Sequence, residues 1–590
     1  MTKKKPLILL LFAATVFGLF IHFHGGRSLL AQSRQPEATA VPRMVDKRFG
    51  AIESFWAPQE AAELGVGWER ILFYWNEIQP TGPDDWNTLH VLEEWLVEAN
   101  NQDRIVLGLL KNTPAWATDG APFSGVPRGL YLPVDDPENL WANYVRRVVE
   151  YYAPRGVHHW VIWNEPEIAE GVYGHEFAGD VDDYIRLLQV AYLVAKEHDP
   201  QSVIHLAGYS YWHDPEYLTK FFDALTAIPE AANSEYFFDV LSLHIYFRVE
   251  TVGELVRRVD ELQNSYGIDK PIWINETNAA PNLDPWWPVE RPMFQVDLDQ
   301  QAWYLVQAYA LGFAAGADSI GVYKLIDILL PEGGESFGIL RPDYSRRPAY
   351  LAYLTTIRLL EGFSGPVGIE QADDYFIVTF EKDGQTIRVL WAREDSSLTL
   401  QVPALARSGQ LIDYSGRSEM IRSQDGVYQI DLGGARCDEA CDIGGPPLFL
   451  VEDNSSITVS NLEVQMTPVR ATLTATHEVS PTFTPWPTNT ATPTETPTST
   501  PTATSTPTAT ATNTPESTRT ATPTSTPKPF SPSVSENSRT GGSALSDLDS
   551  VPTNPTVGIP STINSFWVLG VAAVVALGLI MILLLRKKSN

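Results

Sequence analysis

Two glutamates carry the chemistry that the chain can do. Glu165 closes the apolar stretch 157–167, VHHWVIWNEPE, and Glu276 closes 271–277, PIWINET. Each follows an Asn, and each sits where a β-branched and aromatic run stops. A strand that stops on a Glu presents a carboxyl group at its mouth. A lone example is usually a surface or ion-paired residue. Two in matching Asn-Glu contexts suggest the carboxyl pair that cleaves glycosidic bonds, one protonated and one ionised.

Such a pair needs a scaffold that brings distant strand ends together. Residues 45–453 alternate short apolar runs with amphipathic stretches. Strands are predicted at 49–55, 70–74, 105–110, 160–163, 203–208, 240–246, 272–275 and 319–323. Several are near-continuous Val/Ile/Leu runs, as expected of parallel strands covered on both faces. Helix starts are predicted at Asp136-Pro137, at Asp182 or Asp183, and at the capping-box pattern Thr251-x-x-Glu254. Eight such units predict an α/β fold, a (β/α)8 TIM barrel, over 45–362. The rival, a doubly wound open sheet, lacks a Gly-rich phosphate loop after any strand. In a barrel, the carboxyl ends of all strands share one rim. Glu165 then ends the fourth strand and Glu276 the seventh, on the same rim.

At this point the residues resemble a known group. Trp163-Asn164-Glu165-Pro166 and Trp273-Ile274-Asn275-Glu276 are similar to the two signatures of the clan A glycoside hydrolases, the retaining (β/α)8-barrel β-glycosidases, with β-xylosidase-like and cellulase-like members. The resemblance implies Glu165 as general acid/base and Glu276 as nucleophile. It implies that Arg70, in Glu69-Arg-Ile-Leu-Phe73, holds Glu276 ionised, and that Asn164 contacts the sugar 2-hydroxyl. His244 and Tyr246, in Ser242-Leu-His-Ile-Tyr246, match the sixth-strand pair. There the Tyr orients the nucleophile and the His lines the subsite or contacts the acid/base. Thr113-Pro-Ala-Trp116 matches a loop after the third strand. The chain departs from the clan at Gly321-Val-Tyr-Lys324, where many members carry Trp. Tyr323 is the substitute for stacking, and Lys324 either meets an acidic sugar or pairs with Asp327 or another acid. Trp56, Trp75, Trp116, Trp163, Trp286 and Trp287 are candidates for sugar stacking or for packing. Trp286 and Trp287 lie in the loop after the seventh strand. No cofactor or metal is expected, since such enzymes need none.

The remaining sequence bounds where this chemistry works. Lys+Arg number 42 and Asp+Glu 72, a net charge of −30, which argues against nucleic acid as a partner. Only two Cys occur, Cys437 and Cys441, read as a local disulfide or two free thiols. Past 362 the pattern turns to short strands with tight turns, a small antiparallel β-sandwich-like domain over 363–453. Residues 454–565 are rich in Thr-Pro units and poor in large apolar residues, which predicts a disordered, extended stalk. Residues 1–31 read as a signal peptide or an N-terminal anchor. Residues 566–585 form an apolar run long enough to span a bilayer, and 586–590 form a basic tail placed in the cytoplasm. The expectation is a membrane-anchored, cell-surface glycosidase with a carbohydrate substrate. The alternative is a non-catalytic glycan-binding barrel, an adhesin on a stalk.

Overall fold

A computed structural model describes residues 45–453, apart from 329, 331, 332 and 438–440. The predicted stalk and both terminal apolar segments lie outside the described residues. Among the described residues no helix is long and apolar enough to cross a membrane.

Eight parallel strands form one sheet: β1 (Phe49–Ala51), β2 (Trp68–Tyr74), β3 (Ile105–Lys111), β4 (His159–Ile162), β5 (Val203–Leu206), β6 (Leu241–Tyr246), β7 (Ile272–Asn278) and β8 (Ser319–Val322). Their order is β5-β4-β3-β2-β1-β8-β7-β6. Parallel bridges between His205 and Val240 and between Tyr209 and Leu243 join β5 to β6 and close the ring. Helices fill every crossover, so the sheet is a (β/α)8 barrel. The first strand is shorter than predicted. It stops at Ala51, and the chain turns at Glu53, whose φ is 60°.

Alternation along β2 shows how the barrel sorts its residues. Trp68, Arg70, Leu72 and Tyr74 point inward, while Ile71 and Phe73 pack outward against helices. The Trp68 indole lies across the lower barrel because Gly50 and Gly321 leave room. A Cβ on either would come within 2.3 Å of its ring.

Three predicted helix starts shift. The helix assigned to Asp136-Pro137 begins at Leu140, because Asn139 caps it by accepting the Ala142 amide at 3.0 Å. The next begins at Val181, capped by Asp180 in a reciprocal box with Asp183. Thr251 is no cap but lies inside the helix Val249–Ser265, its hydroxyl donating to the Arg248 carbonyl at 2.6 Å. In each case local hydrogen bonding outcompeted the simplest reading of the pattern.

After the barrel come eight antiparallel strands, β9 (Ser364–Gln371), β10 (Tyr375–Lys382), β11 (Gln385–Ala392), β12 (Leu398–Pro403), β13 (Ser408–Asp413), β14 (Ser418–Arg422), β15 (Val427–Leu432) and β16 (Leu448–Asp453). Six form one sheet, and β12 pairs with β15 as a separate ribbon. β9 and β14 are the edge strands and are largely exposed, so they lack the apolar alternation that marks the others. Along β10 the faces divide. Tyr375 and Ile377 join the core under the ribbon, whereas Phe376, Val378 and Phe380 join the barrel's core. The barrel helices Leu298–Ala314 and Pro348–Leu360 are buried nearly all round, as a helix covered on two sides must be. Gln307 binds the Gly445 carbonyl and the Gly444 amide across this interface, at 2.8 and 3.0 Å. Cys437 and Cys441 form a disulfide.

Candidate active site

The rim at the carboxyl ends of the strands brings Glu165 and Glu276 together. One oxygen of each and a nitrogen of His244 lie within 4.8 Å of one another. That proximity lets both carboxyl groups act on one bond. The donor set is also that of a small cation site, but the cation beside Glu276 is already Arg70.

Pleating alone does not place Glu276. Trp273 points into the barrel and Ile274 outward, so strict alternation would turn Glu276 outward. The pairing of β7 with both neighbours slips here, between Leu243 and His244 on β6 and between Ile274 and Thr277 against β8. This bulge re-aims the side chain inward. Thr277 then faces out, bonded to the Ile245 carbonyl at 2.7 Å and the Tyr304 hydroxyl at 2.8 Å, which pins the carboxyl end of the strand.

Glu276 is buried and fully engaged. Arg70 donates to Oε1 and the Tyr246 hydroxyl to Oε2. Burial pushes its carboxyl up, but the charges of Arg70 and His244 and the hydrogen bonds from Tyr246 and Arg70 together hold it below the usual carboxylate range. Burial first, then the charge of that carboxylate, drives the Tyr246 phenol well above its ordinary value, so Tyr246 remains a donor.

Glu165 is reached differently. β4 ends at Ile162, and the chain turns through Trp163 at φ 71° and Glu165 at φ 40°, both in the left-handed region that non-glycine residues rarely occupy. Such strain persists where surrounding structure over-determines it, and functional turns are where it concentrates. The Trp163 indole is buried and donates to the Glu176 carbonyl at 3.0 Å, which locks the turn. Glu165 stays partly open to solvent, and its Oε1 is 2.7 Å from His244 Nδ1. His244 fits because Gly208 lies against its ring; a Cβ there would fall 1.8 Å from Nε2. Asn164 is half-buried between the two left-handed residues.

The aromatic candidates separate. Trp75 and Trp163 are core. Trp116 is half-buried, its indole donating to the Gln79 carbonyl at 2.7 Å and its ring edge-on to Trp75. Trp287 donates to the Gly334 carbonyl. Trp56 and Trp286 are exposed. Tyr323 stands edge-on to Tyr246, with ring centroids 6.0 Å apart, beside Glu276. Lys324 pairs with Glu53 at 3.1 Å, not with Asp327, which belongs to Arg347.

Sequence reading passed over three residues. Glu53 follows β1 and sits by Tyr323 and Tyr74; its left-handed turn has no local signature. Lys111, at the end of β3, pairs with Glu176. Glu167, two residues past Glu165, is buried; its Oε1 accepts the Ser210 amide at 2.6 Å and its Oε2 has no partner. Burial above all, with the nearby Glu165, pushes its carboxyl up to about 8. The visible signal was only a second acid in WNEPE.

No protein-family model matches the chain, and no curated protein matches it. Solved structures do. A family 39 glycoside hydrolase from Bacteroides cellulosilyticus WH2 superposes with a TM-score of 0.54 at 17% identity, covering 70% of this chain and 82% of that one. A GH30 endoxylanase from Clostridium papyrosolvens C71 gives a TM-score of 0.48 at 12% identity, over 70% and 98% of the two chains. A monomeric β-xylosidase from Caulobacter crescentus CB15 gives 0.48 at 14%, over 70% and 97%. The chain thus has the fold of glycoside hydrolases; at such identities the likeness is one of fold.

Proposed function

We propose that the chain is a retaining glycosidase that cleaves β-linked glycans outside the cell. The observation that carries this reading is the asymmetry of the carboxyl pair. Glu276 is buried, ionised and clamped by Arg70 and Tyr246, while Glu165, within 4.8 Å, is half-open and, among the described residues, bonded through its carboxyl group to His244 alone. A clamped carboxylate suits attack on the anomeric carbon. An accessible carboxyl suits protonating the leaving oxygen. Attack by Glu276 forms a C–O bond as the glycosidic bond breaks, and the leaving oxygen takes the proton of Glu165. Glu165, now ionised, then takes a proton from water. The hydroxide formed displaces Glu276 and restores both groups. A binding-only barrel has no use for that asymmetry.

Trapping with a 2-deoxy-2-fluoro β-glycoside tests it. The expected adduct is on the peptide carrying Glu276. An adduct found only elsewhere, together with full activity in Glu276→Ala, sinks the assignment.

We infer the location from sequence alone: residues 1–31 direct export, 454–565 are a stalk and 566–585 hold the chain at the cell surface. Protease treatment of intact cells should release the barrel and leave a short membrane fragment.

A further inference from the structure

The exposed aromatic side chains of the described residues share a location. All of them, Trp56, Phe123, Tyr173, Trp212, Trp286 and Tyr344 among them, lie in loops that follow a barrel strand. Trp56 ends the short 3-10 turn Ser54–Trp56, and none of the others lies on a helix; none at all lies in the loops at the other end of the barrel or in the β-domain. Chance exposure of large rings would scatter them over the surface, as the aliphatic residues Val97, Leu351 and Ile369 are scattered. Rings gathered on the rim that holds the carboxyl pair mark a binding surface.

Two of these positions define a direction. Trp56 follows β1 and Trp212 follows β5, and three strands separate β1 from β5 either way round the ring. They are therefore diametrically opposed. Glu165 comes from the arc β2-β3-β4 and Glu276 from the arc β8-β7-β6. The two carboxyl groups thus come from the two arcs of strands that lie between β1 and β5. Each ring is held by its neighbours. Trp56 packs on Phe55 and Trp95 with centroids 5.1 and 5.3 Å apart. Trp212 packs edge-on to Tyr211 at 5.1 Å and lies under the Arg248 guanidinium at 5.6 Å. Each keeps more than a third of its surface exposed all the same. A fixed, half-open indole is a platform for the apolar face of a pyranose, offering large contact area at little entropic cost.

The cations nearest the carboxyl pair bear on the sugar's charge. Arg70 is bound to Glu276, Lys324 to Glu53 and Lys111 to Glu176. Each of these charges is already neutralised by a carboxylate, so none offers a free positive charge to a uronic acid, whereas sugar hydroxyls can bind both partners of such a pair.

We infer that the rim binds a neutral β-linked glycan chain across both sides of the scissile bond, from Trp56 to Trp212, and that the enzyme cuts within chains. This rests on the glycosidase reading above. The test uses β-1,4-linked hexasaccharides of glucose, xylose and mannose, the matching disaccharides, and 4-nitrophenyl β-glycosides. The hexasaccharide that is cleaved should yield di-, tri- and tetrasaccharides before monosaccharide accumulates. Its kcat/KM should exceed that of its disaccharide at least about tenfold. Trp56→Ala and Trp212→Ala should each reduce that ratio about tenfold, the scale of one good aromatic contact. Trp56→Phe and Trp212→Phe, which keep a ring, should restore most of it and so separate stacking from misfolding. If aryl glycosides are cleaved while hexasaccharides lose single sugars from one end, or if neither Trp changes the ratio, the inference falls and the glycosidase reading stands. If neither class is cleaved, both fall.

Discussion

Glu69 and Glu276 are two buried carboxylates, each facing an arginine, and they behave in opposite ways. Glu69 and Arg70 are neighbours on β2, so alternation sends them to opposite faces. Arg70 turns into the barrel and meets Glu276; Glu69 turns out and meets Arg104 at 3.0 Å. Glu69 Oε2 has no partner, and burial outweighs Arg104, so its carboxyl lies above the ordinary value. Around Glu276, Arg70 and His244 both favour the carboxylate electrostatically and Tyr246 adds a hydroxyl donor, so its carboxyl lies below. One arginine does not offset the desolvation of a buried carboxylate; further donors tip the balance. The first pair is a structural contact between β2 and the start of β3, and the second holds the carboxylate proposed as the nucleophile.

The largest expected effect separates the two directly. Glu276→Gln should lower kcat at least ~10³-fold, as removal of a nucleophile does. Glu69→Gln should leave kcat within about twofold but strand the Arg104 charge in the core, costing about 3–5 kcal/mol of stability. Rates on the best aryl β-glycoside and urea unfolding measure both; similar catalytic losses in the two variants would erase the distinction.

Removing the cations comes next. Arg70→Met leaves burial to dominate Glu276, so the acid limb of kcat/KM should move up by about one unit or more. Arg104→Met should move the unfolding midpoint and leave that limb in place. Tyr246→Phe deletes a single hydrogen bond to Glu276. The acid limb should again move up, by less than in Arg70→Met, with kcat down about tenfold. A Tyr246→Phe shift as large as the Arg70→Met shift would mean that the hydroxyl, not the guanidinium, sets the ionisation of Glu276.

How much of this was legible depends on how local each cause is. Short, near-continuous apolar runs alternating with amphipathic stretches exposed all eight barrel strands, and the Asn-Glu repeats exposed the carboxyl pair. Arg70, His244 and Tyr246 are found beside the pair because they occupy alternate inward positions on β2 and β6. What stayed hidden depends on contacts between distant segments. The bulge that turns Glu276 inward exists only against β6 and β8. The Glu53–Lys324 pair needs the closure of β1 on β8. The edge strands β9 and β14 are exposed, so no apolar face announced them. Fully buried Trp75 and Trp163 read no differently in sequence from exposed Trp56 and Trp286.

Glu167 extends the comparison to a third buried carboxyl group, with the smallest expected effect. It lines a cavity with Tyr184, Tyr209 and Tyr217, and Glu165 and Asp214 are the acidic groups that raise it further. Burial dominates it as it does Glu69, but among the described residues no cation offsets that burial. Its carboxyl is pushed up to about 8 from an ordinary value of 4.5. Between those values the folded chain holds a proton that the unfolded chain has released. Stability contributed by this group is therefore present at acid pH and falls as pH rises through that window. Gln keeps the oxygen that accepts the Ser210 amide and carries no proton to lose. Glu167→Gln should match the parent in stability near pH 4.5 and exceed it near pH 8, by on the order of 1 kcal/mol. The parallel Glu69→Gln variant lacks this gain because it abandons Arg104. Urea unfolding at both pH values decides it: identical pH slopes for Glu167→Gln and the parent would show that Glu167 is ionised in the fold.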